Sequence, residues 1–306
     1  MEHGSENMSA PQTLMVFIDG LGLGPVDPAI NPIYRGYSPR LADLLENHAV
    51  AVDPVMGVKG LPQSATGQTT IITGRNASEI MGRHMEGFPG PTLVPVIEEN
   101  NLYDRLQKSG FTCTFANAYY LKDMEELYRR RHWSVSTVAA MKAFGWVRNA
   151  ESLLSDCAVH QDLTRAVLRE RGYTGPIITP AEAGGHLLGI AEQHDFTLFE
   201  YFQTDLMAHK GSDKDIHRVL SELDEFINAL LPFGRRDGCL LILLSDHGNI
   251  EDSRSRQHTM NPVPLVAMGK GGERLKDKVL RLDDFAGTLL ELYHTSPVRQ
   301  IRMTPK

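Results

Sequence analysis

Short apolar runs alternate with amphipathic helical patterns along most of this sequence. Apolar and β-branched runs predict strands at residues 13–19, 111–117, 196–202, 239–245 and 262–268. Apolar residues at helical spacing predict helices at residues 38–48, 97–110, 179–193, 215–232 and 282–293. Regular alternation of strands and helices is typical of a parallel sheet covered on both faces. We therefore expect an α/β fold, a three-layer αβα sandwich with a mostly parallel central sheet.

The alternation stops between residues 119 and 178. The basic cluster YRRRHW and two helical stretches follow one another there without an intervening strand. We therefore predict a discontinuous core at residues 13–118 and 179–295, with a small helical insertion or cap at 119–178. Residues 1–12 and 296–306 are predicted to be tails.

Composition and charge exclude several classes of protein. The first twelve residues lack the layout of a signal peptide, and no apolar run approaches the ~18 residues of a membrane span. We expect a cytoplasmic protein that does not bind membranes. The formal charge of -7 argues against a nucleic-acid partner. The three cysteines form no C-x-x-C pair, which argues against both a disulfide framework and a thiolate metal site. The oligomeric state stays open.

Polar side chains cluster where the predicted strands end. In open parallel sheets, ligands bind at the carboxyl ends of the strands, where the loops converge. Three aspartates and three histidines would share that edge: Asp19, Asp205, His209, Asp246, His247 and His258. Ser64 and Thr66, just before a helix predicted to start near Gly67, would add hydroxyl groups.

Each of these positions also has a simpler structural explanation. An aspartate at a strand end commonly forms a turn, and a D-x-x-x-H pair such as Asp205 and His209 is commonly a surface contact. A hydroxyl before a helix is commonly its N-cap. The combination is more specific, because carboxylates and imidazoles without thiolates suit zinc or manganese. Two sets of three such ligands can hold two ions.

Four segments resemble, in order, the metal-binding motifs of the alkaline phosphatase superfamily: FIDGLGLGPVDPAINP, SATGQTT, TDLMAHKG, and SDHGNIED with the following HTMNPVP. The last is most similar to the branch that contains cofactor-independent phosphoglycerate mutase and phosphopentomutase. The resemblance covers most of the predicted core and omits residues 119–178. It implies a dinuclear-metal phosphoryl-transfer enzyme that binds two divalent ions, zinc or manganese, and a small phosphorylated substrate.

The resemblance also implies roles for individual residues. The two ions would be bound by Asp205, His209 and His258 and by Asp19, Asp246 and His247. Ser64 would be the nucleophile and a ligand of the second ion. Thr66 is the alternative nucleophile, because the segment continues with Gly67-Gln68 where the mutases have Gly-His.

The reaction stays open between hydrolysis and transfer of the phosphoryl group within one substrate. A mutase must exclude water from its phosphoenzyme, and mutases of this branch carry large caps. Because the insertion at 119–178 is small, a phosphatase or phosphodiesterase is favoured over a phosphomutase. A non-catalytic metal-binding member is the remaining alternative. We expect Arg254 and Arg256, beside the metal loop, and Arg83 to contact the substrate. These three arginines are preferred to the basic cluster YRRRHW.

Overall fold

A six-stranded sheet forms the centre of the computed structural model, which describes residues 9–121 and 123–294. Its strands are β1 (Gln12–Ile18), β2 (Ala49–Val52), β3 (Cys113–Phe115), β4 (Phe196–Tyr201), β5 (Cys239–Leu244) and β6 (Val263–Gly269). They lie in the order β2-β6-β5-β1-β4-β3. Pairing is parallel from β5 to β3, whereas β6 runs antiparallel to β5 and β2. The predicted tail at 296–306 and most of the tail at 1–12 lie outside the described residues.

Helices connect the strands and cover both faces of the sheet. They are α1 (Pro39–Asn47), α2 (Ser64–Thr73), α3 (Ala77–Met81), α4 (Gly90–Asn100), α5 (Leu102–Lys108), α6 (Met124–Tyr128), α7 (Val135–Phe144), α8 (Ala150–Leu154), α9 (Pro180–Ala191), α10 (Gln203–Lys210), α11 (Asp213–Gly234), α12 (Gly272–Lys278) and α13 (Asp284–His294). Short 3-10 helices lie at Pro32–Arg35 and Ala166–Arg171. None of the described helices combines the length and the apolar character that a bilayer crossing requires.

Side chains of the central strands alternate between two cores. In β1, Leu14, Val16 and Ile18 share a core with α1, α9 and α11. Met15 and Phe17 share the opposite core with α2, α4, α5, α7, α12 and α13. Successive strand residues point to opposite faces, so an all-apolar strand has to be covered on both sides. The predicted three-layer αβα sandwich is confirmed.

Helix α2 begins at Ser64, earlier than the start predicted near Gly67. Threonine has low intrinsic helix propensity, which disfavours a helix in the sequence SATGQTTIIT. In the structure the hydroxyls of Thr69, Thr70 and Thr73 donate to backbone carbonyls four residues back. These bonds satisfy the hydroxyls inside the core, so the whole segment can be buried as a helix.

Two further elements of the structure differ from the strands and helices that the sequence predicts. The edge strand β2, which pairs with β6, has no clear signal in the sequence. The helix predicted at 97–110 is divided between α4 and α5 at Asn101, whose side chain accepts a hydrogen bond from the backbone N–H of Tyr103 and caps α5.

The predicted insertion at 119–178 is only partly separate from the sandwich. Its longest helix, α7, packs through Val135 in the same core as Phe196 of β4. Other apolar side chains of the segment form a small cluster with Ala118, which directly precedes it: Leu153, Ala158, Leu168 and Tyr173. Asn117 pairs with Val159 just beyond β3. The segment therefore lies beside the carboxyl ends of the parallel strands.

Two adjacent glycines of α9 provide a test of the helix packing. A Cβ at Gly184 would lie 2.8 Å from Cβ of Ala229 on α11, whereas nothing lies within 4 Å of a Cβ at Gly185. We expect Gly184→Ala to lower the free energy of unfolding by about 1–3 kcal/mol through overpacking. Gly185→Ala should raise it by up to ~1 kcal/mol through helix propensity. Urea denaturation measures both, and the same sign for both variants would contradict the close packing of α9 on α11.

Candidate metal centre

The ends of three adjacent strands bring the predicted ligands together. Since β1 lies between β4 and β5, the residues that follow these strands share one edge of the sheet. The predicted side chains form an outer triad and an inner triad there: Asp205, His209 and His258, and Asp19, Asp246 and His247. Within each triad, one potential ligand atom per residue lies within 4.8 Å of the others.

The inner triad surrounds one imidazole nitrogen with oxygen atoms. Nε2 of His247 lies 2.9 Å from Oγ of Ser64, and it lies 3.2 Å from Oδ1 of Asp19 and 3.5 Å from Oδ2 of Asp246. These two carboxylate oxygens are buried, and neither accepts a hydrogen bond from the described residues. A buried carboxylate oxygen needs a proton, a donor or a cation. One nitrogen and three oxygens that converge in this way fit a divalent cation.

The outer triad shows which nitrogens are available to a cation. Nδ1 of His209 lies 2.7 Å from the carbonyl of Arg256, and Nδ1 of His258 lies 2.9 Å from the carbonyl of Pro62. A carbonyl only accepts, so both Nδ1 atoms carry a hydrogen, and in the neutral rings both Nε2 atoms present lone pairs. These Nε2 atoms are 3.0 Å apart, and each lies 3.4 Å from an oxygen of Asp205. Facing lone pairs repel unless a proton or a cation lies between them, so this triad fits a second cation.

The two triads are in direct contact. The rings of His247 and His258 stack with their centroids 3.7 Å apart. Asn249, in the loop that follows His247, donates from Nδ2 to Oδ1 of Asp205 over 2.7 Å. One loop therefore supports both triads.

The pKa values of the site reflect crowded, buried carboxylates. Burial raises the pKa of Asp19 and, together with the charges of Asp19 and Asp205, raises the pKa of Asp246 well above its usual value. Burial also opposes ionisation of Asp205. The neighbouring His258, His247 and Asn249 outweigh it and lower the pKa of Asp205 to about 2. A divalent cation would favour the ionised form of all three carboxylates.

Helix α2 presents Ser64 to the inner triad. Gly67 allows this approach, because a Cβ there would lie 2.8 Å from Cβ of Asp246. Gln68, one residue on, donates to Oδ2 of Asp19 over 3.2 Å. Where the mutase motif has histidine, this chain therefore has an amide that contacts a carboxylate of the inner triad. The sequence did not reveal this contact. Thr66, the other predicted hydroxyl, is fully buried and bonds instead to the carbonyl of Gln63 and the N–H of Met85.

A cavity of about 880 Å³ opens onto the triads. Asp19, Ser64 and Asp205 belong to its lining. The predicted insertion contributes another part of the lining, which includes several basic side chains: Arg130, Arg131, His132, His160 and Arg171. This part of the lining also has aromatic rings: Tyr119, Tyr120 and Trp133. The volume and mixed lining are within the range of small-ligand sites.

The three arginines predicted for substrate binding do not line this cavity. The guanidinium group of Arg254 lies on the surface and makes two hydrogen bonds to Asp252. Arg256 donates to the carbonyls of His209 and Gly211 at the end of α10, where helix carbonyls lack partners within the helix. Arg83 lines a separate surface depression. The cluster YRRRHW supplies cavity residues instead. The sequence did not favour this cluster for substrate binding, because it did not predict the path of the chain through 119–178.

The buried side chain of Glu251 joins the two loops that carry the inner triad. It accepts hydrogen bonds from the backbone N–H groups of Gly22 and Asn249, at 2.9 and 2.7 Å. It also accepts from Thr259 at 2.5 Å and Asn261 at 3.0 Å. The sequence motif contains Glu251, but its contact to residue 22 depends on tertiary structure.

Glu200 is a second buried acid that the sequence analysis did not select. Its Oε2 accepts a hydrogen bond from Oγ of Ser136 over 2.5 Å, and the residue lines the cavity. Burial and, to a smaller extent, the charge of Asp19 outweigh the opposing effect of the Ser136 hydrogen bond and raise the pKa of Glu200 to about 7. A charge within the apolar run FTLFEYF was the available signal.

Sequence comparison finds relatives with limited overlap. A family model described as the metalloenzyme superfamily matches residues 181–297. A 2,3-bisphosphoglycerate-independent phosphoglycerate mutase from Cereibacter sphaeroides is 31% identical over 126 residues, which cover 38% of this chain and 24% of that protein. The matches thus span about a quarter or less of the length of the first curated relatives.

Structural comparison extends the likeness over nearly the whole chain. Alkaline phosphatase from the Antarctic bacterium TAB5 aligns with a TM-score of 0.56 and 11% identity, over 94% of this chain and 100% of that one. The lipoteichoic acid synthase LtaP from Listeria monocytogenes aligns with a TM-score of 0.54 and 12% identity, over 94% of this chain and 72% of that one. At these identities the structural likeness concerns the fold. Together with the family model, it confirms the predicted resemblance to the alkaline phosphatase superfamily.

The pKa of Glu200 generates a prediction about stability and pH. The carboxyl loses its proton near pH 4.5 in the unfolded chain and near pH 7 in the folded protein, so the folded state binds more protons between these values. Stability should therefore fall as the pH rises through this window and stay level above it. Glu200→Gln keeps an acceptor for Ser136 and removes this loss. The free energy of unfolding of Glu200→Gln, relative to that of the wild type, should therefore increase by about 3 kcal/mol as the pH rises from 4.5 to about 7.

Urea denaturation of metal-free protein at several pH values measures the difference. Glu99→Gln, at an exposed position on α4, corrects for the general effect of removing a carboxylate. A stability difference between Glu200→Gln and the wild type that does not change with pH would show that Glu200 ionises normally.

Proposed function

We propose, from the alkaline phosphatase superfamily resemblance, that this protein is a dinuclear-metal enzyme that hydrolyses phosphate esters through a phosphorylated Ser64. The observation that carries the proposal is the position of Oγ of Ser64, 2.9 Å from Nε2 of His247 at the wall of the cavity. Each triad would hold one divalent ion. Zinc and manganese both suit carboxylate and imidazole ligands.

The chain supplies the groups that a phosphoryl transfer needs. When bound, two divalent ions would provide the positive charge that makes a serine hydroxyl nucleophilic and offsets the charge of the phosphoryl group. Ser64 attacks phosphorus, and the positive dipole end at the start of α2 favours the negative charge of the phosphoryl group, while the N–H of Thr66 donates to the carbonyl of Met85. Gln68 holds Asp19 in its position as a ligand. Thr66 is unsuitable as the nucleophile because its hydroxyl is buried and already bonded on both sides.

Hydrolysis is favoured over mutase chemistry by the shape of the insertion. Helix α7 belongs to the sandwich, so only short elements of 119–178 remain to cover the cavity. A mutase has to keep water from its phosphoenzyme, which usually needs a closing domain. The name of the curated relatives supports phosphomutase as the second candidate. A non-catalytic member would bind metal and turn over no ester.

Substitution of the two hydroxyls tests the assigned nucleophile. With p-nitrophenyl phosphate, we expect Ser64→Ala to lower kcat by at least about 10³-fold, because the covalent step is lost. Thr66→Val should retain most of the activity and lose only some stability. The wild type should bind about two zinc or manganese ions, and chelation should abolish activity that either metal restores. Full activity in Ser64→Ala or in the chelated enzyme would contradict the proposal.

The fate of the phosphoryl group separates the two candidate reactions. A phosphorylated diol incubated in ¹⁸O-labelled water should yield free phosphate that carries the label, because water accepts the group from Ser64. Nuclear magnetic resonance and mass spectrometry measure the products. Accumulation of the isomeric ester without label would contradict hydrolysis and support the phosphomutase reaction.

A further inference from the structure

His160 lines the same cavity as Ser64 and belongs to neither triad. It follows Val159, whose backbone pairs with Ala116 and Ala118 beyond the end of β3. The next residue, Gln161, accepts a hydrogen bond from Gln203 of α10, the helix that carries Asp205. The imidazole therefore lies in the lining of the cavity, on a segment that is hydrogen-bonded to the helix that carries Asp205.

A buried carboxylate fixes the His160 ring. Oδ1 of Asp162 lies 2.6 Å from Nδ1 of His160, and the two side chains are 2% and 6% exposed. Asp162 also accepts hydrogen bonds from the backbone N–H groups of Arg165 and Val167 and from the hydroxyl of Thr164. Burial opposes its ionisation, but the His160 ring and these donors outweigh burial and lower the pKa of Asp162. The carboxylate is thus a fixed anion behind the ring.

This arrangement leaves Nε2 of His160 for a ligand. Because ionised Asp162 only accepts, Nδ1 carries the hydrogen of the bond between them. Nε2 makes no hydrogen bond within the described residues. His84 gives the contrast of a structural histidine, since its two nitrogens contact Ser78 and the carbonyl of Val58. A histidine held on one side by a buried carboxylate and open to a cavity on the other has the arrangement of a catalytic acid or base.

We propose that His160 is the general acid for the leaving group, with Asp162 as its positioning residue. This inference rests on the proposed function, because it assigns a role in the transfer to Ser64. With two ions bound, Ser64 would react as its alkoxide, its hydroxyl proton having passed to solvent. As the bond from Oγ of Ser64 to phosphorus forms, the bond from phosphorus to the leaving oxygen breaks. The leaving oxygen keeps the electron pair and takes the proton from Nε2. When water later attacks the phosphoserine, the bond from phosphorus to Oγ breaks, and Oγ keeps the electron pair as the alkoxide. One proton of the water passes to Nε2 and restores the imidazolium.

The assignment defines a class of substrate. A phenol with an electron-withdrawing group leaves as a stable anion and gains little from protonation. An ordinary aliphatic alcohol leaves as a strongly basic alkoxide and gains much more. A general acid is therefore useful for phosphate esters of unactivated alcohols, which we infer to be the substrates.

Leaving-group dependence tests the role of His160. Metal-loaded wild type and His160→Asn are compared on p-nitrophenyl phosphate and on methyl phosphate. Asparagine retains an amide near the position of Nδ1, so it keeps the bond to Asp162 and removes Nε2. We expect kcat for methyl phosphate to fall by about 10²- to 10⁴-fold, and kcat for p-nitrophenyl phosphate to stay within about threefold. Asp162→Asn should show a smaller loss with the same preference for methyl phosphate.

His194→Asn is the matched control. His194 is half-buried, its Nδ1 contacts the carbonyl of Ile190, and it does not line the cavity. Both esters should be turned over by this variant at the wild-type rate. Metal content and thermal unfolding verify that each variant is folded, and His160→Gln replaces His160→Asn if the latter is unstable.

The outcomes separate this inference from the proposed function. An equal loss on both esters, or no loss on either, would overturn the general-acid role and leave the phosphoenzyme mechanism intact. Absence of turnover by the metal-loaded wild type on both esters would overturn the proposed function and the general acid with it.

Discussion

Electrostatic crowding at one edge of the sheet is the constraint on which the rest of the structure depends. The charge of Asp205 raises the pKa of Asp19, and the charges of both raise the pKa of Asp246, while two of the carboxylate oxygens are buried without a donor. Such a cluster is unfavourable in an isolated chain, because like charges repel and burial removes their solvation. Three hydrogen-bonded strands hold the cluster in place. The αβα core is therefore the source of the rigidity that a dinuclear site requires.

Much of the fold and the convergence of the two triads could be predicted because both depend on regular spacing. Apolar runs of strand length defined β1, β4, β5 and β6, and the rule for strand ends pointed to the same edge for all six predicted ligands. What the sequence missed depends on contacts between distant residues. Gln68 meets Asp19, Glu251 meets Gly22, and Ser136 meets Glu200 only after the chain has folded. The early start of α2 was missed because hydroxyl-to-carbonyl bonds overrode low helix propensity.

Position in the fold also explains why the predicted arginines do not line the cavity. Arg254 and Arg256 are near the ligand His258 in sequence, and their guanidinium groups are directed to Asp252 and to the end of α10. The cavity instead receives its positive charge from residues 119–178, which follow β3 and rejoin the sheet edge at Val159. The acidic half of the cavity thus comes from the sandwich and the basic half from the added segment. Such a division would let the lining supplied by residues 119–178 vary while the two triads stay in place.

The stacked rings of His247 and His258 couple the two triads mechanically. With their centroids 3.7 Å apart, neither imidazole can rotate freely while the other is held. An ion bound by one triad would therefore immobilise a side chain of the other triad in advance. A second ion would then meet a site whose side chains have already lost conformational entropy, which would favour cooperative filling of the pair.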